Sequence, residues 1–378
     1  MTNSFSRNDL NYDNGTVKNI HYGDIHTKFQ TLFDITREMV PYINKNISLD
    51  RISDDYYCKE GDIIFADASE DMNDVGKSIE VVHLNNEKLL SGLHTLLARP
   101  KQGLFFKGFN GYLFKSKNVR LQIQKEAQGT KVLSISTKRI SNIKLSFPSE
   151  REQEKITSFL SRLDQRIQTQ SKIIEECKLL RNYLISFYFD SEEERKSVFI
   201  GDCIRQISKR NRNGENYTVF SVSNKYGFIK QAEQFEDRVI ASDNTENYKV
   251  ISKNVFAYNP ARINVGSIAR MKEIGTGIVS PMYVCFKTNE EFLLPEYFDY
   301  YFKSTTFKRE MTKRLEGSVR LCLNYDGLCN IKINLSSLEK QQKISFQLYS
   351  LDQKIDLETK HLDLLSKQKQ YFLQNLFI

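Results

Sequence analysis

The sequence contains one segment twice: PSEREQEKITSFLSRLDQRIQ at residues 148–168 and SSLEKQQKISFQLYSLDQKID at residues 336–356. The two copies are offset by 188 residues, and the same offset aligns residues upstream of them. It places Phe114-Lys115-Ser116 on Phe302-Lys303-Ser304. One offset that persists over this length indicates an internal duplication, which has to be identified before the fold is interpreted.

Each copy begins a run of apolar residues that recur at alternating spacings of three and four, which is typical of a coiled-coil seam. Ser149 and Ser337 stand at the expected N-cap positions. Each predicted helix has about 40 residues and is therefore about 60 Å long. Connectivity predicts that the second helix returns antiparallel to the first. The predicted seam consists of Ile156, Leu160, Leu163, Ile167, Ile174, Leu184, Ile344, Leu348, Leu351, Ile355, Leu362 and Leu365.

The segments outside the helices predict mixed α/β (α+β) domains. Residues 61–66 and 254–258 are apolar runs typical of strands. Residues 297–315 indicate one amphipathic helix, with Pro295 near its start and Gly317 at its end. The sequence therefore predicts two similar globular domains separated by two long antiparallel coiled-coil helices and related by a pseudo-two-fold axis.

Composition limits the class of protein. The 378 residues are enough for more than one domain, and the formal charge of +8 suits a polyanion such as DNA, although it also suits a mildly basic cytosolic protein. None of the six cysteines lies in a Cys-x-x-Cys pair or at zinc-finger spacing from a histidine, so we expect reduced, largely buried thiols and no metal site. No run approaches the ~20 apolar residues of a membrane span. With no signal peptide evident, we expect a cytoplasmic protein.

Two similar domains at a fixed separation suit double-stranded DNA, whose pseudo-symmetry presents an equivalent groove to each domain. A rod of about 60 Å spans on the order of 15 to 18 base-pair steps of 3.4 Å. The expected target is two short half-sites with a fixed, unread gap.

The segments that begin the helices resemble those of specificity subunits of type I restriction-modification systems. The resemblance rests on residues 148–156 followed by Leu163-Asp164, and on residues 337–344 followed by Leu351-Asp352. A Gly-Thr or Gly-Ser pair late in each domain and an Asn-Ile-Lys strand before each helix match as well. The resemblance covers nearly the whole chain. It implies target-recognition domains at 1–147 and 191–335, a central spacer helix at 148–190 and a C-terminal spacer helix at 336–378.

The resemblance implies a non-catalytic subunit that reads DNA. Its helices are expected to dock two modification subunits, which use S-adenosylmethionine to methylate adenine, while restriction subunits cleave DNA with ATP and magnesium. No cofactor is expected in this chain. Two departures stand out: Ser336 replaces a usual Pro, and the first domain lacks the opening strand that residues 199–204 provide in the second. The first domain is therefore expected to be short at its N-terminus.

Candidate DNA contacts are basic or amide side chains in predicted loops, because such groups bind phosphates and base edges. Solvated loops and local turn hydrogen bonds are the alternative interpretations. We expect the repeated Gly129 and Gly317 to serve as helix C-caps. The candidates are Lys209, Arg210, Arg212, Arg262, Asn264, Arg270, Arg320, Lys131 and Arg139.

Two other classes of protein remain open. A DNA methyltransferase of this kind needs an Asn/Asp-Pro-Pro-aromatic motif, and residues 259–262 read Asn-Pro-Ala-Arg. An ATPase loop needs a Gly five residues before Gly76-Lys77-Ser78, where Asp71 stands instead. A coiled-coil scaffold without sequence-specific DNA binding would account for the helices but would leave the two basic domains unexplained.

Overall fold

The computed structural model describes residues 5–190, 196–231, 245–272, 275–317 and 321–377. These residues form two compact units, and each long helix contributes to both. The first unit contains the described residues up to Lys172 and those from Lys360 onward. The second contains the described residues between Ile173 and Thr359.

The helices of the described residues are α1 Tyr22–Thr27, α2 Phe109–Leu113, α3 Lys117–Glu126, α4 Thr137–Ile140, α5 Glu150–Phe189, α6 Pro295–Tyr301, α7 Thr305–Thr312, α8 Tyr325–Cys329 and α9 Leu338–Asn375. Short 3-10 helices span Arg7–Asp9, Asp54–Tyr56, Ile200–Asp202 and Ile263–Val265. The strands of the first unit are β1 Leu10–Asn11, β2 Val17–Ile20, β3 Leu32–Asp34, β4 Tyr42–Ile43, β5 Ile63–Ala66, β6 Ala68–Ser69, β7 Ser78–His83, β8 Lys88–Ser91, β9 Thr95–Ala98 and β10 Leu133–Ser134. Those of the second unit are β11 Lys196–Phe199, β12 Ile204–Ile207, β13 Thr218–Ser223, β14 Gly227–Lys230, β15 Lys249–Ser252, β16 Phe256–Tyr258, β17 Ile268–Arg270, β18 Thr276–Val279, β19 Val284–Thr288 and β20 Lys332–Leu335.

The first unit contains two four-stranded sheets, ordered β1-β4-β2-β8 and β3-β7-β5-β9, and a small pair β10-β6. The short helices α2 and α3 pack on the second sheet through Phe109, Tyr112 and Ile123, which are almost fully buried. The apolar runs of β5 and β7 are buried because both faces of that sheet are covered.

The second unit resembles the first in its central strands; its sheets are ordered β14-β13-β18-β15 and β12-β19-β16-β17, and a separate pair is β11-β20. The central strands match: β5 lies between antiparallel partners β7 and β9, as β16 lies between β17 and β19. The sheet that lacks these central strands contains one parallel strand pair in each unit. The pair is β2 with β8 in the first unit and β13 with β18 in the second. The predicted mixed α/β duplication is confirmed.

The long helices pair antiparallel within each unit. In the first unit, Asp164 of α5 forms an ion pair with Lys369 of α9. In the second, Arg181 of α5 lies 3.1 Å from Asp352 of α9. The early turns of one helix thus lie against the late turns of the other. The predicted seam residues are buried or half-buried on both helices, and none is exposed.

A buried glutamine attaches the start of α5 to the first unit. The Gln153 amide donates hydrogen bonds to the backbone oxygens of Pro148 at 3.0 Å and Leu104 at 3.4 Å. Its side-chain oxygen accepts a hydrogen bond from the Phe106 N–H at 2.8 Å. One side chain therefore satisfies three backbone groups that burial would otherwise leave unpaired.

The same residue of the repeat attaches α9 to the second unit. The Gln341 amide donates to the backbone oxygens of Phe292 at 2.8 Å and Ser336 at 2.9 Å, and its oxygen accepts from the Leu294 N–H at 2.9 Å. Ser337 acts as the predicted N-cap, since its hydroxyl accepts from the Lys340 N–H at 3.3 Å.

Two local predictions are wrong. The single helix predicted at 297–315 is two helices: α6 ends at Tyr301, and Ser304 caps the start of α7 by accepting from the Phe307 N–H. Gly129 and Gly317 are not C-caps: each follows an extended residue and adopts a positive φ, +127° and +112°, in a loop closed by a β-bridge.

Of the cysteines, Cys58, Cys177, Cys203 and Cys285 are buried, and all six are free thiols. Among the described residues, no helix is long and apolar enough to cross a membrane.

Candidate nucleic-acid interface

The loop between β12 and β13 is the most concentrated group of candidate contacts. Lys209, Arg210 and Arg212 are all exposed, whereas Asn211 between them is 3% exposed. The Asn211 side chain donates to the backbone oxygen of Glu215 at 2.8 Å and accepts from its N–H at 3.0 Å. These two hydrogen bonds fix the conformation of the loop, and the basic neighbours of Asn211 are exposed to solvent.

This loop lines a polar cavity of about 610 Å³. The Arg210 guanidinium donates to the Asn247 side-chain oxygen at 2.9 Å, which holds it beside the cavity. Neither Lys209 nor Arg212 forms an ion pair with another described residue. Cations placed this way are available to phosphate oxygens, and a buried asparagine that shapes the loop limits the entropy lost on binding.

The turn that follows β16 carries a second pair of candidates. Arg262 and Asn264 are exposed on either side of buried Ile263. The turn ends at Gly266, whose φ of +90° suits glycine. Arg262 also lines a cavity of about 390 Å³ with Asn259, among other residues. An arginine and an amide that project from one turn are the side chains that pair with guanine and adenine edges.

Arg270 lies in a different environment from these residues. Its side chain is 11% exposed, and its guanidinium lies 2.6 Å from a Glu296 carboxylate oxygen. It also donates to the Asn254 side chain at 2.8 Å and lies 3.9 Å from Asp299. These contacts attach β17 to α6, and they favour a structural role for Arg270 over contact with a base.

Two of the three remaining candidates, Lys131 and Arg139, lie at a loop of the first unit. In the first unit, residues 128–134 are closed by a bridge between Gln128 and Ser134, and Lys131 at the tip is exposed. Arg139 is half-buried beside this loop and pairs with Glu126 at 3.3 Å, so it also has a structural partner. In the second unit, a bridge joins Glu316 to Cys322, and Arg320 lies outside the described residues.

One exposed turn was missed in the sequence. Between β13 and β14, Lys225 places its ammonium 4.9 Å from the centre of the Tyr226 ring, and Tyr226 is 68% exposed. An exposed aromatic ring beside a cation can stack on a base and contact a phosphate at once. The Asn-Lys-Tyr-Gly string at 224–227 was the available signal, and Gly227 has the positive φ expected of a hairpin turn.

Each domain is also attached to a long helix by a tyrosine–aspartate pair. Tyr112 donates to Asp164 at 2.9 Å, and Tyr300 donates to Asp352 at 2.9 Å. Burial, together with the neighbouring carboxylate, raises the pKa of both phenols far above the usual value, so both remain donors. These residues are identical in the two copies, which was the signal for them in the sequence.

The outer faces of the long helices carry large apolar side chains. Tyr183 of α5 is 63% exposed, and Tyr371, its counterpart in the repeat on α9, is 62% exposed. Other apolar residues are more than half exposed on the same helices. They are Leu179, Phe346, Tyr349, Leu357 and Leu364. The number of these exposed side chains makes the helix faces that carry them a candidate interaction surface.

Comparison with known proteins identifies the family. The type I restriction modification DNA specificity domain matches this chain twice, over residues 5–179 and 195–367. The chain belongs to this family. It is a specificity subunit of the type I restriction-modification class, the non-catalytic component of such systems, as the sequence predicted.

Two curated specificity subunits are similar to this chain at about a quarter of the aligned positions. The chain is 24% identical over 336 residues to the putative type I restriction enzyme MjaX specificity subunit of Methanocaldococcus jannaschii, covering 84% of this chain and 77% of that protein. It is 25% identical to the MjaVIII specificity subunit of the same organism, covering 70% of this chain and 68% of that protein.

Solved structures share the fold. The S subunit of a type I system from M. genitalium aligns with a TM-score of 0.56 and 17% identity over 100% of this chain and 92% of that one. A chain from a study of complex assembly in a type I system aligns with a TM-score of 0.53 and 15% identity over 84% of this chain and 81% of that one.

Proposed function

We propose that this chain reads a bipartite sequence on double-stranded DNA, each unit contributing to one half-site. The observation that carries the proposal is the duplication itself: two similar units, the first attached to α5 and the second to α9 through equivalent glutamine and tyrosine–aspartate contacts. A duplex offers two equivalent grooves to such a pair, and the unread gap follows from the spacing of the units.

In the second unit, the exposed loop with Lys209 and Arg212 would bind phosphates and position the domain. The turn with Arg262 and Asn264 would then reach base edges. This division follows the general pattern in which phosphate contacts position a protein and base contacts specify the sequence. In the first unit, the exposed Lys131 would contribute a phosphate contact.

We propose that two modification subunits dock on the exposed apolar faces of α5 and α9. Tyr183 and Tyr371 occupy equivalent positions in the repeat and have nearly equal exposure, so the chain presents the same anchor twice. Two copies of one partner fit such a duplicated surface. S-adenosylmethionine would bind to these subunits, and ATP and magnesium to restriction subunits.

The test is a methylome. The chain would be expressed with its cognate modification subunit in a methylation-free host, and N6-methyladenine mapped by single-molecule sequencing. We expect a bipartite motif with a fixed gap that is absent when this chain is omitted. A chain with Lys209, Arg212 and Arg262 changed to Ala should yield far less methylation of the same motif.

A stable purified complex that methylates no motif, and binds DNA without sequence dependence, would contradict the proposal. That outcome would favour the alternative of a coiled-coil scaffold that binds only proteins. The triple variant should assemble as the unmodified chain does, because its three residues are exposed and lie outside both long helices.

A further inference from the structure

The sheet β14-β13-β18-β15 of the second unit carries exposed cations at both of its edges. The loop 209–212 lies at one edge, where Arg210 forms a β-bridge to Lys249 of the outermost strand β15. The hairpin with Lys225 and Tyr226 lies at the other edge, where it joins β13 to the outermost strand β14. Three strand spacings of about 4.8 Å separate the two edges, which makes a distance of about 14 Å.

The turn with Arg262 and Asn264 lies between these two edges. Arg262 borders a cavity whose lining includes residues 219–222 of β13, an inner strand of the sheet. The turn ends at Gly266, where an added Cβ would lie 3.6 Å from the Cβ of Asn224 in the hairpin. The surface that runs from the turn to the hairpin is therefore continuous.

A groove continues from the hairpin along β17 to α7. It consists of two cavities of about 390 and 480 Å³, whose linings share Asn224, Asp299 and Lys303. Lys225 of the hairpin lines the first cavity, and Lys308 of α7 lines the second. The groove thus collects three lysines from separate segments of the second unit.

These three lysines have no compensating carboxylate. None of them forms an ion pair with another described residue, whereas the carboxylates that line the groove are already engaged. Asp299 lies 3.4 Å from the Lys272 ammonium. Asp190 accepts a hydrogen bond from the Thr306 N–H at 2.8 Å, at the start of α7. The described residues therefore leave the groove with an excess of positive charge.

Lys303 differs in this respect from its counterpart in the repeat. Lys115 donates a hydrogen bond to the Thr31 hydroxyl at 2.6 Å within the first unit. Lys303 has no hydrogen-bond acceptor among the described residues, and its ammonium lies 4.6 Å from the centre of the Tyr300 ring. The walls of the groove partly desolvate this ammonium, which lowers its pKa, and an anion bound in the groove would oppose that effect.

We propose that Lys225, Lys303 and Lys308 bind phosphates of one DNA strand, while the loop 209–212 binds phosphates of the other strand. The inference rests on the proposed function and adds to it the strand that each cationic surface contacts. The distance of about 14 Å between the sheet edges matches the width of about 12 Å of the major groove, which has a phosphate backbone on each side. Contacts with both backbones hold the turn between them against the base edges.

The salt dependence of binding tests the groove. The full chain, assembled with its modification subunit, is titrated with a duplex that carries the methylated motif, because the slope of log K against log salt concentration counts phosphate contacts. We expect Lys303→Gln and Lys308→Gln each to reduce this slope by about 0.9 and to weaken binding of cognate and mismatched duplexes alike. Lys303→Arg should retain the slope.

Lys313→Gln is the matched control for these variants. Lys313 is exposed beside the end of α7, and its ammonium already lies 2.8 Å from Glu310. Its loss should leave the slope unchanged, because a lysine that is neutralised within the protein contributes little to counterion release.

Ethylation interference assigns the strands, because ethylation of a contacted phosphate weakens binding. The unmodified complex should show interference on both strands of the half-site. Lys308→Gln should remove it from one strand only, and Arg212→Gln should remove it from the other strand only.

Two results would overturn this inference and leave the proposed function intact. One is an unchanged salt slope in both Lys303→Gln and Lys308→Gln. The other is loss of interference from the same strand in Lys308→Gln and Arg212→Gln. If the unmodified complex does not distinguish the motif from a scrambled duplex, the proposed function is wrong and this inference with it.

Discussion

Two arginines of the second unit, Arg262 and Arg270, differ in their exposure and in their contacts. Arg262 is exposed on a turn, whereas Arg270 is 11% exposed and contacts Glu296 and Asn254. We expect Arg262→Ala to weaken DNA binding and to leave the melting temperature nearly unchanged, because loss of a base contact costs about 1–3 kcal/mol of binding free energy. Comparison of binding isotherms and melting curves tests this.

Arg270→Ala is the matched control for that prediction. Loss of the mostly buried Arg270 side chain removes the hydrogen bonds that it donates to Glu296 and Asn254, so we expect a lower melting temperature. If Arg270→Ala selectively weakens DNA binding and leaves thermal stability unchanged, the structural role assigned to it is wrong.

Glu80 gives the first unit a pH-dependent stability. Its carboxylate is buried and accepts hydrogen bonds from the Gly108 and Gly111 N–H groups at 2.6 and 2.7 Å. Burial outweighs these bonds and raises the pKa of Glu80 to about 7. The unfolded chain, with a lower pKa, releases this proton first as pH rises. Stability from this group is therefore present below about pH 4.5 and is lost as pH rises toward 7.

Melting curves of the full chain and of Glu80→Gln at pH 5, 6 and 7 test this prediction. The difference in stability between pH 5 and 7 should be smaller in the variant, by on the order of 2 kcal/mol. Other groups titrate in both proteins, so only the difference between the two slopes reports on Glu80. Equal slopes would contradict the prediction.

At the scale of elements, the buried glutamines at the starts of α5 and α9 are expected to contribute to the stability of their units. Gln153→Ala would leave the Phe106 N–H and the Pro148 oxygen without their partner, and Gln341→Ala would do the same in the second unit. Each change should destabilise its unit by about 1–3 kcal/mol. Gln342→Ala, at an exposed neighbouring position, is the control and should have little effect on the melting curve.

Substitution of the exposed tyrosines on α5 and α9 tests where the modification subunits dock. We expect Tyr183→Glu and Tyr371→Glu each to remove one modification subunit from the assembled complex, and the double variant to remove both. A charge at the centre of an apolar interface must be desolvated on docking, which opposes association. Native mass spectrometry counts the subunits. Full assembly of the double variant would place the docking surface elsewhere.

The sequence predicted the elements that rest on periodicity and repetition better than those that rest on local geometry. The seams of α5 and α9 follow directly from apolar spacing. The single helix predicted at 297–315 failed because Ser304 also caps a new helix, and the role of Gly129 failed because its loop closes through backbone pairing. Arg270 could not be separated from Arg262 in the sequence, since only the fold brings Glu296 beside it.

At the scale of the whole molecule, the two copies of the repeat share their contacts with the long helices but differ in their surface loops. The buried attachments to the helices are the same in both units, and Lys115 and Lys303 of the repeated Phe-Lys-Ser both have pKa values lowered by burial. The surface loops differ in length and charge, with the cluster 209–212 in one unit alone. The contacts with the helices are therefore retained, while the surface loops have diverged. This pattern is expected if both units bind the helices in the same way but read different half-sites.

The long helices should then determine the length of the unread gap. Insertion of seven residues after Lys172 of α5 and seven after Lys360 of α9, equivalent positions in the repeat, preserves the seam because seven residues complete two coiled-coil turns. Each helix lengthens by about 10 Å. We expect the gap in the methylated motif to widen by about three base pairs. Insertion in one helix alone breaks the match of the seams and should abolish methylation. An unchanged gap in an active double-insertion protein would show that the helices do not determine the spacing of the half-sites.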